Sequence, residues 1–157
     1  MFKTIVWATD GSEHADRALP YAKRLASAED AVLFVVHGNE LLLGRAAGYP
    51  VLADEEDLEL KIRGQVAELR GSGINASFRV ISSAAAGTAH MVADVAREVG
   101  ADVIVVGTRG HAPVTGLLLG SVTQRLLHIA PCPVLAIPTS SLEVEHNSER
   151  VTAAVAR

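Results

Sequence analysis

The sequence predicts a single α/β domain in which five parallel strands form one doubly wound sheet, order 3-2-1-4-5, with four helices. Three observations predict it. Five short β-favouring runs alternate along the chain with four stretches of helical periodicity, the pattern that right-handed βαβ crossovers produce. The run Ala31 to Val36 is apolar without a break, and Asp102 to Val106 is apolar after its first residue, as suits strands covered by helices on both faces. At 157 residues with 49% apolar content, the chain is long enough to bury one core and short enough to predict one domain.

The first strand is Lys3 to Thr9, where Ile5, Val6 and Trp7 give way to the turn residues Asp10-Gly11-Ser12. Ser12 is placed to cap a helix in which Ala15, Ala18, Leu19, Ala22, Leu25 and Ala26 recur at helical spacing. Pro20 lies inside that pattern and predicts a kink, since it lacks an N–H and collides with the preceding turn. Ala31 to His37 is the second strand, and Asn39 to Pro50 reads as a loop. A helix from Ala53 to Arg70 aligns Leu58, Ile62, Val66 and Leu69, with the acidic run Asp54 to Asp57 at its positive end and Gly71-Ser72-Gly73 after it. Ile74 to Ile81 alternates apolar and polar residues and so predicts a half-exposed edge strand. Gly87 and Thr88 open a third helix closed by Gly100, Asp102 to Val106 is the fourth strand, and Ser121 to Ile129 is a short helix whose Ser121 and Gln124 match a capping box. Val134 to Ile137, announced by Pro131 and Pro133, is the fifth strand; residues 139 to 157 carry no strong pattern and read as a flexible or weakly helical tail.

Composition removes several functions. Fourteen Lys and Arg against eighteen Asp and Glu leave a net charge of −4 with no basic run, so nucleic acid is not an expected partner. The one cysteine, Cys132, excludes an intrachain disulfide, a CxxC redox pair and a cysteine-rich zinc site. No apolar run approaches the roughly 18 residues of a membrane span, and no secretory signal opens the chain, so the expectation is a cytoplasmic protein without a membrane partner.

Ligands of open α/β sheets sit beyond the carboxyl ends of the strands, where the strand order reverses. For the order above that point lies between the first and fourth strands, which end at Asp10 and Gly107. The fourth strand runs into Gly107-Thr108-Arg109-Gly110 and a further stretch that ends Gly120-Ser121-Val122 at the next helix. Glycines let backbone pass close to a phosphate, the first N–H groups of a helix point at an anion, and Ser121 adds a hydroxyl, so the loop is built as a polyphosphate cradle. A long surface connection would also use glycines for turning; the helix start that follows favours the phosphate reading. Neither Gly-Lys-Ser/Thr nor GxGxxG occurs in the chain.

The spacing G-x2-G-x9-G-[ST], met by Gly107, Gly110, Gly120 and Ser121, resembles the ATP-binding members of the universal stress protein family. Ile5-Val6-Trp7-Ala8-Thr9-Asp10-Gly11-Ser12 and Cys132-Pro133-Val134-Leu135 look like that family's first and last strands, and the resemblance runs over residues 3 to 138. It implies an adenine nucleotide alpha hydrolase-like domain over residues 1 to 138 with ATP at the strand ends, accompanied by Mg²⁺ for which no protein carboxylate pair is dedicated. Carried over by position, Thr9 and Asp10 line the adenosine, Gly38 meets the adenine through its backbone, Val106 and Gly107 flank the ribose, and Gly110, Gly120, Ser121 and Val122 hold the phosphates. Gly38 departs from the pattern, since family members often carry an apolar side chain there. The family also implies a homodimer through the last strand, Val134 to Ile137, and regulatory protein partners of unknown identity.

The expected function is a nucleotide-dependent regulator with at most slow hydrolysis, because no catalytic triad or poised general base is visible. The alternatives are an ATPase or nucleotidyl- or phosphoryl-transferring enzyme in which Arg109 or His111 stabilises the transferred group, and an interaction module without nucleotide. Arg109 and His111 suit a solvated surface equally well. His37 reads as a satisfied structural histidine, Cys132 as a small packing residue and Trp7 as core.

Overall fold

The computed structural model describes residues 2–40, 51–83, 87–109 and 119–138. Strands β1 (Thr4–Thr9), β2 (Val32–Glu40), β3 (Asn75–Ser83), β4 (Val103–Gly107) and β5 (Val134–Ile137) form one sheet in the order β3-β2-β1-β4-β5, every pair parallel. The sheet and its order are those read from the sequence. Edge positions fall to β3 and β5, and β1 is central, entirely buried after Thr4.

Alternation along the strands divides the core into two layers. Ile5, Trp7, Leu33, Val35, Val103 and Val105 face α2 (Leu19–Glu29) and α3 (Val51–Gly71), which contribute Ala22, Ala26, Ile62, Val66 and Leu69. Val6, Ala8, Val36, Ile104 and Val106 face α4 (Thr88–Glu98) and α5 (Ser121–Ile129), which contribute Val92, Ala96 and Leu126. Trp7 is wholly buried, as core.

Two details differ from the sequence reading. The first helix is delivered as two segments, a short α1 (Glu13–Asp16) and then α2, rather than as one kinked helix. Pro20 sits in the first turn of α2, where its missing N–H costs nothing, so the discontinuity precedes the proline at Arg17-Ala18. Strand β2 continues through Glu40, because β3 is long enough to pair it as far as Glu40↔Ser83, so Asn39 and Glu40 are strand where a loop was expected. Residues 41–50, the middle of the glycine loop and the expected tail from 139 lie outside the described residues. Among the described residues no helix is long and apolar enough to cross a membrane.

Candidate functional site

The carboxyl end of β1 turns on a small set of side chain to backbone bonds. Thr9 is buried and its hydroxyl accepts the Gly11 N–H at 3.1 Å. Asp10 Oδ1 accepts both the Ser12 N–H at 3.0 Å and the Ser12 hydroxyl at 2.6 Å, an Asx turn of the kind that aspartate forms with the backbone two residues on. Ser12 Oγ accepts in turn from Ala15 N at 3.1 Å and caps α1. Gly11 has φ 76°, left-handed backbone that costs other residues strain, and a Cβ there would lie 2.7 Å from Leu58 Cδ2. The Asp10 carboxylate is thereby fixed at the sheet's end rather than trailing on a loop.

Beside it, β4 ends in a position only glycine can fill. Val106 is buried between Ala8 and Ala136, its register partners. A Cβ on Gly107 would stand 2.8 Å from the His14 carbonyl oxygen and 3.3 Å from Ala15 Cα, so α1 lies directly against the strand end. The Gly107 carbonyl accepts from the buried Thr123 hydroxyl at 2.8 Å, which ties β4 to α5. Thr108 N donates to Ile137 O at 2.8 Å, and Thr108 O accepts from Gly120 N at 2.7 Å. That last bond brings the two ends of the glycine loop together.

The expected capping box on α5 does not form. Gly120 takes the cap position with extended backbone (φ −67°, ψ 156°), Ser121 is the first helical residue, and no side chain caps the helix. Gln124 N donates to Gly120 O at 2.9 Å, the first helical hydrogen bond. The first turn of α5 therefore carries no acidic residue and no side-chain cap, with Ser121 exposed and Val122 half-buried. By contrast, α1 has its Ser12 cap and Glu13 and Asp16 in its first turn, which already answer its dipole.

The structure thus brings Thr9, Asp10, Val106 and Gly107 together on two hydrogen-bonded strands, with Gly120, Ser121 and Val122 joined to them through Thr108. Gly38 lies one residue beyond the Thr9↔His37 pair on β2. A Cβ on Gly38 would fall 2.4 Å from the Thr88 methyl, so Thr88 of α4 fills the space that a side chain at 38 would need. Gly110 and His111 lie outside the described residues; Arg109 is exposed.

Sequence reasoning placed His37 as a satisfied core histidine but missed what satisfies it. It is almost fully buried, Nδ1 donates to the Thr9 carbonyl at 3.0 Å, and Nε2 bonds Glu55 of α3. Lys61, also of α3, donates to the Gly11 carbonyl at 2.7 Å. Neither pairing has a signal in the sequence, because the partners lie on different elements at no diagnostic spacing.

The perturbed titrating groups lie elsewhere. Asp102, at the amino end of β4, accepts the Lys3 and Thr4 N–H groups at 2.7 and 2.9 Å, which hold its carboxyl below the usual carboxylate range. Burial, helped by the Asp102 charge, pushes the Cys132 thiol up and away from the reactive thiolate. Among the described residues no group of three or more His, Cys, Asp or Glu is gathered to hold a metal ion.

The family model of the universal stress protein family matches residues 1–138. A Thermus aquaticus protein described as the universal stress protein in the QAH/OAS sulfhydrylase 3' region is 37% identical over 140 residues, covering 87% of this chain and 99% of its own. Universal stress protein A homolog 2 of Coxiella burnetii is 32% identical over 141 residues, covering 87% and 94%. Among solved structures, a universal stress protein in complex with cAMP superposes with a TM-score of 0.68 at 26% identity over 88% of this chain and 99% of that one. The universal stress protein of Archaeoglobus fulgidus in complex with dAMP gives 0.63 at 25% identity over 87% and 98%.

Proposed function

The chain belongs to the universal stress protein family, and we propose that it is an ATP-binding regulator whose nucleotide lies across the carboxyl ends of β1 and β4. One observation carries the reading: the start of α5, with neither side-chain cap nor acidic first turn, is bonded through Gly120 and Thr108 to the end of β4, the strand paired with the one that carries Asp10. Free N–H groups backed by a helix dipole suit phosphate, and a fixed carboxylate next to them suits a ribose hydroxyl. The two solved relatives with bound cAMP and dAMP support an adenine nucleotide as the class of ligand.

The residues present fit that group. Asp10 holds the ribose, Val106 and Gly107 flank it, Gly120, Ser121 and Val122 bind phosphate, and Thr9 and the Gly38 backbone meet the adenosine, with Gly110 as a further phosphate contact. Mg²⁺ comes with the phosphates and water, since hard cations in nucleotide sites need few protein ligands. Hydrolysis is at most slow, and ATP occupancy acts by favouring one surface or oligomeric state over another. The homodimer forms through β5, an edge strand whose Leu135 is exposed. Light scattering at micromolar concentration tests it: Leu135→Lys is expected to be monomeric and the wild type dimeric, and a monomeric wild type with and without ATP removes the dimer.

The test of the site is the nucleotide content of freshly purified protein, released by denaturation and identified by mass spectrometry. Stoichiometric ATP in the wild type and none in Gly120→Ala/Ser121→Ala is the expected result. A wild type that is empty and binds no added ATP refutes it and favours the interaction module. Turnover near a typical enzyme rate of ~10 per second, lost in Arg109→Ala or His111→Ala with ATP affinity intact, favours the enzyme.

A further inference from the structure

The turn that carries Asp10 is held from one side by a single helix. Along α3, Glu55, Leu58, Lys61 and Gln65 recur at spacings of three, three and four residues, which places them on one side of the helix. Each engages the β1–α1 connection or its immediate support. Glu55 bonds His37 Nε2, and His37 Nδ1–H donates to the Thr9 carbonyl. Leu58 occupies the space beside Gly11. Lys61 Nζ donates to the Gly11 carbonyl at 2.7 Å and to Asp16 Oδ2 at 2.5 Å, and Gln65 Nε2 donates to Asp16 Oδ1 at 2.9 Å.

The carbonyls on either side of Asp10, those of Thr9 and Gly11, are therefore both fixed by side chains that α3 supplies or orients. A carbonyl can only accept, so Nδ1 carries the proton that holds Thr9 O, and the Nε2–Glu55 bond, which needs a further proton on Nε2 or on the carboxyl group, keeps the imidazole turned that way. Core packing does not require this arrangement, since Ile62, Val66 and Leu69 already bury the helix against the sheet. We infer that this side of α3 positions the Asp10 turn for ligand, so that nucleotide binding and the order of α3 are coupled. The inference rests on the nucleotide site proposed above.

Linkage makes the coupling reciprocal: if the helix fixes the turn, a ligand that fixes the turn also steadies the helix. Lys61→Met tests the first half. It keeps the aliphatic stem and removes the ammonium of a side chain that is 41% exposed, so folding survives. Isothermal titration with ATP and Mg²⁺ is expected to show affinity weakened about three- to tenfold, the range of a positioning contact. In an Asp10→Asn background the same change is expected to cost far less, because its target is already lost. A merely structural role gives equal losses in both backgrounds.

Hydrogen exchange gives a reading that needs no nucleotide. Amides of Gly11, Ser12 and Ala15 exchange faster in Lys61→Met and in Glu55→Gln than in the wild type, and ATP slows exchange across residues 55–65 of the wild type. Unchanged exchange at those amides overturns the inference, as does wild-type ATP affinity in Lys61→Met. A wild type that binds no ATP overturns the proposed site instead, and exchange at Gly11 to Ala15 then decides by itself whether α3 holds the turn.

Discussion

Replacing Gly107 by alanine asks whether the junction between β4 and α1 is as tight as its geometry states. The added methyl carbon would stand 2.8 Å from the His14 carbonyl oxygen, 3.2 Å from the Arg109 carbonyl oxygen and 3.3 Å from Ala15 Cα. All three neighbours are backbone, so no rotamer change relieves them. Carbon-to-oxygen contacts settle at about 3.3 Å or more, and α1 must therefore retreat by roughly 0.5 Å. Overpacking of this kind costs about 1–3 kcal/mol, and immobile neighbours place this case in the upper part of that range. At ~2–4 °C per kcal/mol for a chain of this length, thermal unfolding followed by circular dichroism should show Tm about 4–12 °C lower. Gly38→Ala is the internal contrast. The three atoms nearest its methyl all belong to the Thr88 side chain, Cγ2 at 2.4 Å and Cβ and Oγ1 at 3.4 Å. Thr88→Ser removes the offending methyl and keeps the hydroxyl, so Gly38→Ala should destabilise the wild type and be tolerated in Thr88→Ser. No side-chain truncation should rescue Gly107→Ala. A Gly107→Ala protein that melts at the wild-type temperature would refute the reasoning, since it would mean that α1 does not rest on the strand end.

Three further outcomes follow from other parts of the fold. Ser12→Ala removes the α1 cap and the hydroxyl that bonds Asp10, and should cost about 1 kcal/mol of unfolding free energy in urea titration. Asp102 is held below the ordinary carboxylate value of ~4, so its contribution is present above that value and is lost as pH falls through its lowered one. Thermal scans should thus be level from pH 7 to 5 on its account and decline below about pH 4, and Asp102→Asn should melt lower at neutral pH with a shallower acid decline. Cys132, with its thiol pushed up by burial, should react with iodoacetamide at pH 7 more slowly than an unhindered cysteine peptide, and equal rates would contradict the packing role.

The parts of this fold that were legible in the sequence are those in which chemistry repeats locally. Alternating or unbroken apolar runs gave the strands, and Ser12 and Gly87 marked helix starts where α1 and α4 begin. Boundaries went astray where a partner decides them: β2 runs to Glu40 because β3 is there to pair it. Pro20 was visible as a disruption, but its position in a first turn depends on the chain breaking before it. In the candidate site, Asp10 and Gly107 were legible through strand order, whereas the demand for glycine at 107 comes from the backbone of α1, close only in three dimensions. Glu55 read as one of four acidic residues at a helix start; its bond to His37 required the fold.

Why the ligand should meet α5 and not another helix is decided by two conditions together. Four described helices begin at the carboxyl end of the sheet, and α3 is set aside by the acidic run Asp54 to Asp57 near its start. The first, α1, is unsuited to an anion, because Ser12 already takes one of its leading N–H groups and Glu13 and Asp16 sit in its first turn. Chemistry at the start does not separate the other two, since α4 and α5 are both capped by a glycine with extended backbone and neither has an acidic first turn. Position does. Helix α4 follows β3, an edge strand separated from β4 by two others, and its first residue, Thr88, is packed against Gly38. Helix α5 follows β4 and is fastened to it by the Thr123 hydroxyl on the Gly107 carbonyl and by the Thr108 to Gly120 bond. Its first turn is therefore held at the end of β4, the strand paired with the one that carries Asp10, where the order of the strands reverses and the ends of neighbouring crossovers diverge. In the proposed site a polyphosphate on α5 has its sugar toward Asp10, whereas α4 follows a strand two places from the one that carries that carboxylate.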